Sequence, residues 1–527
     1  MSKVNLDAMI PRQDFYSDAP ATNKQFPHSK LTLAHLLRDP VLNVSSIYHL
    51  LKKPDFQRET CEWSKEKIAN LIQCFIERSF IPSIILWENP QTSEIYVIDG
   101  AHRLSAIIAY INDDYGDSRV SQEFYNFKIP QAVLNLADET RTHINEKIGS
   151  FSDNIKAGGA KANGIKNGFF DVQRIDGNVE MAEDSFFKIN EQGVVLSPTE
   201  KELCHSRNNP TCIATRAIMK GGAGNQYWKN FEATNQATIK SLAEELHKFF
   251  FEPTYEEKLS SIVREHPLGG EVINAMPMIY NLMKIVKKHY YNGKEDKDTV
   301  SGKSTIDYLI HVRKILWIMH SNIKGSLGLY PTIFFYNGIG AYIQSSFLGM
   351  FQLIVENSDN TDFKIKFTRH RRRLEDFLIE NKIFLTQLNL HYGSKERSAG
   401  HMKWFFENLL NYLSDYGSNT EVIKLLKIKY DFLNESQSSI ERGRSQRFAP
   451  EVKAEVTIKR ELESALKCKI CNGHVHPYSK DFDHAEDKKY GGDSTADNAQ
   501  ITHVYCNNAK DKLVEIGFYN PQTTSDK

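Results

Sequence analysis

Apolar residues recur at three-to-four-residue spacing over long stretches of the chain and form short consecutive runs in only a few places. In SKEKIANLIQCFIERSF (64–80), Ile68, Leu71, Ile72, Phe75 and Ile76 share one helical face, with Ser64 placed as the N-cap. The runs PSIILW and EIYVID follow, separated by the turn residues ENPQTS, and predict two short β-strands. GAHRLSAIIAYI then returns to helical spacing, so the order is helix, strand, strand, helix. The tight turn DGAHR (99–103) sits at the last strand-to-helix junction. Farther on, SPTE (197–200) predicts a capping box with Pro198 at the first helical position. Between about 140 and 183, SDNIKAGGAKANGIKNG is rich in Gly, Asn and Lys and predicts an insertion or mobile loop.

Residues 216–435 read as mainly helical. NQATIKSLAEELHKFF, STIDYLIHVRKILWIMH, RRRLEDFLIENKIFLTQL and MKWFFENLLNYLSDY all keep the helical period. From Gly325 to Val355 there is no charged residue, a length that reaches a membrane span. Asn337, Gln344, Ser345, Ser346, Gln352 and Pro331 interrupt it, which predicts a buried helical hairpin instead. NESQSSIERGRSQRFAP (434–450) has linker composition and sets off a last module. No internal repeat or coiled-coil heptad run is present. The expected organisation is a mixed α+β unit at 1–215, a helical middle at 216–435, a linker and connecting helix at 436–464, and a small module at 465–527.

Bulk composition narrows this picture. A chain of 527 residues exceeds a single core, and 40% hydrophobic with 25% charged residues is globular composition. Sixty-six basic and 66 acidic residues cancel, so polyanion binding has to come from local patches. The start, MSKVNLDAMIPRQDFYSD, has no apolar core of the signal-peptide kind, which predicts a cytoplasmic protein with no membrane partner. Of seven cysteines, Cys61, Cys74, Cys204 and Cys212 are scattered, and the other three cluster near the C-terminal end. That usage is not a secreted disulfide framework.

The clustered cysteines carry the most specific chemistry. CKIC (468–471) presents Cys468 and Cys471, and about thirty residues later THVYC presents His503 and Cys506 with the same two-residue gap. Two such knuckles supply four soft-to-borderline donors, which suits tetrahedral Zn²⁺ in a structural role; a module this small needs the metal to hold it folded. The loop thus closed contains DFDHAED (481–487), with one histidine among four acids.

Within 465–513 the chain resembles the HNH, or ββα-metal, endonucleases. The resemblance rests on Asp483 and His484, the Gly491-Gly492 turn, Asn498, and Asn507 directly after the last cysteine. It implies His484 as the general base for phosphodiester hydrolysis and Asn498 as a brace for the loop that orients it. Asp483 and Asn507 are implied as oxygen ligands of one Mg²⁺ or Mn²⁺, with Asn508 an adjacent competitor for Asn507. Asp481, Glu486 and Asp487 read as solvated neighbours. Lys488, Lys489, Lys510 and Lys512 are candidates to hold phosphates or to be solvated.

Residues 56–107 resemble a second family, the ParB/sulfiredoxin-like N-terminal domain of GmrSD-type restriction proteins and SspE-type phosphorothioate-sensing effectors. Gln57, Arg58, Trp63, IPSIILW and DGAHR carry the likeness, and Asn190, Gly193 and Glu200 extend it. Where that family's turn reads D-G-Q-Q-R, Ala101 and His102 stand here. A glycine turn opening a helix is a good phosphate site, so Arg58, Asp99, Gly100, His102 and Arg103 are expected to sense a nucleotide or modified DNA. The resemblance implies NTP binding, with hydrolysis in some members. SLGLYPTIFFYNGIGAYIQSSFLGM (326–350) also looks like the helical region that joins these two domains in related proteins. RHRRR (369–373) is a candidate for DNA phosphate contacts or a solvated helix face.

These expectations converge on an anti-phage restriction endonuclease of prokaryotic type, whose N-terminal sensor controls the HNH module on DNA, including modified phage DNA. A nucleotide- or DNA-binding regulator with a non-catalytic zinc module and an unregulated nuclease toxin are the alternatives. Homo-oligomerisation is left open.

Overall fold

The computed structural model describes residues 3–13, 15, 29–38, 46–54, 57, 60–61, 63–125, 127, 129, 131–192, 198–222, 228–251, 275–298, 300–392, 398–435, 448, 450–488 and 491–521. They fall into two compact units, Met1–Arg207 with Ala223–Lys229, and Asn208–Gly222 with Asn230–Lys527.

The first unit is built on a mixed six-stranded sheet. Its strands are β1 (Arg12–Gln13), β2 (Lys30–Thr32), β3 (Leu51–Pro54), β4 (Ile84–Glu88), β5 (Ile95–Asp99) and β6 (Phe169–Arg174), in the order β1-β3-β5-β4-β6-β2. β5 runs antiparallel to β4 and parallel to β3. Ile95 and Val97 of β5 join a core with Ile68, Ile72 and Phe75 of the helix Lys65–Glu77 and with Leu104 and Ile107 of the helix Ala101–Asn112. Tyr96 and Ile98 face the other way, into a cluster with Phe15, Trp87 and Phe186. Burial on both faces explains why this strand reads as an unbroken apolar run. Helix, strand, strand and helix follow in the expected order, with Ser64 capping the first helix by accepting from Lys67 N.

The segment expected as a mobile loop is regular structure. The helices Phe151–Ala157 and Gly159–Asn167 lead directly into β6, which pairs parallel with β4. Ser150 caps the first helix, and Gly158 and Gly159 turn the chain at φ of 69° and 71°. A Cβ on Gly164 would lie 1.9 Å from the Ile76 carbonyl oxygen, so glycine is what lets this helix press against Lys65–Glu77. The small and polar residues here serve close packing and caps, not disorder. Pro198 opens the helix Pro198–His205 as expected, while Ser197 lies outside the described residues.

The second unit is helical through its middle. The helix Gln344–Asn357 is largely buried and packs on Ala399–Asp415. A Cβ on Gly349 would meet Met402 Cβ at 2.6 Å, which fixes how near the two axes come. The uncharged stretch is buried but is not a helical hairpin. It forms the short helix Pro331–Phe334, a bridge between Tyr336 and Tyr342, and then Gln344–Asn357. Asn337 makes the reversal, its Oδ1 accepting from Ile339 N and Ala341 N. Among the described residues no helix is long and apolar enough to cross a membrane.

Most of the linker expected at 434–450 lies outside the described residues. The helix Pro450–Ser464 then leads into two small antiparallel hairpins, β7 (Leu466–Lys467) with β8 (His474–Val475), and β9 (Lys480–His484) with β10 (Ala499–His503). The helices Val504–Asn508 and Lys510–Glu515 follow. Cys468, Ile470, Cys471, Val475, Cys506, Leu513 and Tyr519 make a small core that Ile365, from the helix Thr361–Glu380, completes.

Candidate metal centre and the residues around it

The turn between β7 and β8 folds because Asn472 adopts a left-handed φ of 57° and Cys468 N donates to the Gly473 carbonyl. It brings Cys468 and Cys471 to His503, at the end of β10, and to Cys506 in the helix after it. All four side chains are buried, and their donor atoms lie within 4.8 Å of one another. Backbone N–H groups of Ile470 and His503 both donate to Cys468 Sγ at 3.4 Å. His503 Nε2 bonds the His474 carbonyl at 2.8 Å, which leaves Nδ1 facing the sulfurs at 3.3 Å from Cys471 and 3.7 Å from Cys506. A carbonyl behind the ring fixes the tautomer in the way metal-ligating histidines need. Burial raises the Cys471 thiol, and its hydrogen bonds with Cys468 and Cys471 raise that of Cys506. Three buried thiols cannot all ionise together without a cation, and this donor set matches a four-coordinate metal such as zinc.

Behind the cluster lies a polar network that the sequence reading did not find. His474 donates to Glu375 from its backbone N at 2.6 Å and from Nδ1 at 2.9 Å, while Lys467 Nζ meets its Nε2 at 2.6 Å. Glu375 pairs with Arg371 at 2.7 Å, and Arg371 also donates to the carbonyls of Leu327 and Gly328. Burial opposes ionisation of Glu375, but the Arg371 charge and the His474 hydrogen bond outweigh it and bring its carboxyl down to about 2. Arg371 therefore does not belong to a DNA-facing basic run. Arg373 is also engaged, by the Leu413 carbonyl and Asn419, and Arg372 is the exposed one of the three. The signal was present: Ile365, Thr368, Arg371, Leu374 and Leu378 keep one helical stripe, which puts Arg371 on the buried side.

β9 and the helices after β10 bring the other candidates together. His484 ends β9, with Nε2 at 3.4 Å from Ser494 Oγ. Asn498 accepts from Glu486 N at 2.7 Å and donates to the carbonyls of Glu486 and Asp493, so it ties both sides of the loop that follows His484. Gly492 closes that loop where only glycine fits, since a Cβ would stand 1.8 Å from Glu486 O. Asp483, on the face of β9 opposite His484, is buried. It accepts from Gln500 Nε2 at 2.8 Å and pairs with Lys510 Nζ at 2.9 Å. Asn507 turns toward β9 and donates to Asp481 at 2.9 Å, whereas Asn508 bonds back to the Val504 carbonyl.

Three side chains differ from expectation. Asp481 and Asp487 are held by Asn507 and Lys510 rather than only by solvent. Lys510 is buried and saturated, so it is not a surface phosphate contact. Burial pulls its pKa down, but hydrogen bonds to Asp487 and Asp483 leave it raised. Lys489 lies outside the described residues. Oxygen donors that suit a hard divalent cation do converge here, the Asp483 and Asp487 carboxylates and the His484 carbonyl around the Lys510 charge, while Asn507, the other expected ligand, turns to Asp481.

In the first unit, Gly100 caps the helix Ala101–Asn112 at φ 94°, and a Cβ there would strike Ile84 Cγ2 at 2.5 Å. Arg103 folds back to Asp99 at 2.6 Å and to the Ser83 carbonyl, and His102 stacks on Trp63 at 5.6 Å. Arg58 lies outside the described residues, as does Gly193. Gln57 donates to the Ile98 carbonyl, while its Oε1 and Arg103 Nε are buried with no hydrogen-bond partner among the described residues. Beneath Gln57, Asp7 is buried with two cations, Arg12 at 2.9 Å and Lys53 at 2.7 Å. Lys53 lies far from Asp7 and Arg12 in sequence, and the three carry no motif.

Residues 40–205 match a family model described as the GmrSD restriction endonuclease, N-terminal domain. The match covers the sheet from β3 onward, the DGAHR turn and the helices around it. No curated protein and no solved structure matched the chain. The likeness is therefore to the N-terminal domain of that restriction endonuclease, over residues 40–205 of this chain.

Proposed function

We propose that the chain is a metal-dependent DNA endonuclease of a prokaryotic anti-phage restriction system. Residues 465–527 act as its HNH module and the ParB/sulfiredoxin-like N-terminal domain as a sensor of nucleotide or modified DNA. The observation that carries this reading is the placement of Asp483, His484, Asn498 and Asn507 around one hairpin, closed by the buried Cys468, Cys471, His503 and Cys506 set. The GmrSD-type N-terminal domain supports the restriction context and DNA as substrate.

In this reading Zn²⁺ at the four-residue set is structural and holds the two hairpins in register. His484, partly exposed at the end of β9, takes the proton of the attacking water as a neutral imidazole. Asn498 keeps the following loop closed so that the ring stays oriented. Asp483 and Asn507 would hold Mg²⁺ or Mn²⁺, which when bound neutralises charge on the phosphate and leaving oxygen. Around DGAHR, the unpartnered Gln57 Oε1 and Arg103 Nε and the helix N-terminus suit a phosphate-bearing ligand such as an NTP. A cytoplasmic location fits this role.

The test is plasmid cleavage with Mg²⁺ or Mn²⁺, with and without nucleotides, on unmodified and modified DNA. Wild type should cut, and His484→Ala should cut at least about a hundredfold more slowly, the usual contribution of a general base. Equal, intact plasmid under every condition would leave the second reading, a DNA- or nucleotide-binding regulator. The Asp483–Lys510 ion pair is the one observation that favours that reading. Asp99→Ala or Arg103→Ala should change cleavage or its substrate preference if the N-terminal site governs the nuclease.

A further inference from the structure

Lys510 stands where a cation belongs. Its Nζ lies 2.9 Å from Asp483 Oδ2, 3.1 Å from Asp483 Oδ1, 2.6 Å from Asp487 Oδ1 and 2.7 Å from the His484 carbonyl. An ammonium has three protons, and Asp483, Asp487 and the His484 carbonyl take all three. Asp483 Oδ2 is shared further with Gln500, whose Nε2 also reaches the Tyr519 hydroxyl at 3.1 Å. Both Asp483 oxygens are thus engaged by the lysine, so a second cation beside it would meet a like charge. The side chains of Lys510 and Asp483 are each 7% exposed, so solvent does not screen the pair.

We propose that Lys510 is a tethered cation that competes with the divalent metal for Asp483, so that metal enters only when the lysine swings out. The inference rests on the nuclease reading above, because it takes Asp483 as a metal ligand. The oxygens that hold the ammonium are carboxylate and carbonyl donors, the kind a hard dication also takes. The tether, however, gives the ammonium a high effective concentration, so the exchange is balanced and not one-sided. Lys510 is also the first residue of its helix, preceded by the non-helical Ala509, so its side chain can leave without unwinding a turn. With the lysine in place, Asp483 is paired and the module stays folded without a catalytic metal.

The experiment is Mn²⁺ binding to the full-length, zinc-loaded protein without DNA, read by the spin-resonance signal of free Mn²⁺, together with thermal unfolding. Wild type, Lys510→Met, Lys510→Gln and Asp483→Asn are compared. Lys510→Met should bind Mn²⁺ at least about tenfold more tightly, because the competitor is gone and the buried Asp483 carboxylate loses its cation. Its metal-free melting temperature should fall and should rise more with Mn²⁺ than that of wild type. If Lys510→Met does not purify folded, Lys510→Gln carries the same expectation with a hydrogen bond retained. Mn²⁺ binding that is lost in Asp483→Asn but equal or weaker in the Lys510 variants overturns the competition and leaves the metal site standing. No Asp483-dependent binding in any variant overturns both the competition and the metal site of the nuclease reading.

Discussion

At the scale of single residues, Gly492 is the most constrained position in the loop after His484. A methyl group there would have to displace the Glu486 carbonyl and the Asn498 amide, which lie 1.8 Å and 2.8 Å from its ideal Cβ. Gly492→Ala should therefore open the loop, at a cost of about 2 kcal/mol or more. Amide exchange at 485–493 should rise while zinc content is unchanged; unchanged exchange would show that the loop adapts. The sequence made Gly491-Gly492, Asn498 and His484 visible because each stands at a fixed spacing. It did not show that Asn507 faces Asp481, or that Lys510 faces Asp483 and Asp487. Those pairings depend on the register Gln500↔Asp483 and Thr502↔Asp481 and on the angle of two short helices, and neither is written in local pattern.

Between elements, the helix Thr361–Glu380 and the β7–β8 turn are joined by charge rather than by apolar area alone. Gly473 permits it, since a Cβ there would lie 2.9 Å from Arg371 Cδ. Arg371→Met leaves Glu375 buried with its charge unpaired and should cost about 3–5 kcal/mol. The double variant Arg371→Met, Glu375→Met should recover much of that loss, as read by denaturant unfolding of the full chain. A double variant no better than the single would show that the pair itself, not the orphaned charge, is what counts. Histidines at the same boundary add a pH dependence. His476 is 3% exposed, rests against His320 at 4.5 Å, and is held neutral by burial and then by His320, with its pKa brought down to about 2. A base with a depressed folded pKa contributes stability that is complete above about 6.5, the unfolded value. The contribution falls as the pH drops toward 2, so unfolding between pH 6.5 and 4.5 should show a loss of about 1.4 kcal/mol per unit from His476. His476→Phe should flatten that slope. Helical periods were readable across this layer, and the stripe through Arg371 was too. The clustering of RHRRR hid it, because charge is normally a mark of the solvated face.

For the whole molecule, the helical layer and the C-terminal hairpins belong to one compact unit. Tyr505 N bonds the Ser326 carbonyl, and Tyr330 and Thr332 both reach Glu461. Stripping the metal with a strong chelator should therefore loosen more than residues 465–521. Amide protection at 325–330 should fall together with that at β7 to β10, and loss confined to the hairpins would contradict this coupling. The alternation of helix and strand in the first unit and the run of helices after it could both be read from apolar spacing. The six-strand order could not: β1 and β2 are two and three residues long, too short for any period to register. The helices at 151–167 were hidden because glycines used for close packing look like glycines used for turns.

The buried Arg371–Glu375 pair also has a consequence for synthesis. Its partner His474 lies about a hundred residues farther along, so the pair leaves the ribosome long before the surface that covers it. The metal donors then arrive as Cys468 and Cys471, later His503 and Cys506, with Asn507 and Lys510 behind them. A chain cut short before Cys506 carries the N-terminal domain and an incomplete helical layer but no closed metal cluster. If the chain is the nuclease proposed above, aborted translation yields fragments that lack its assembled site.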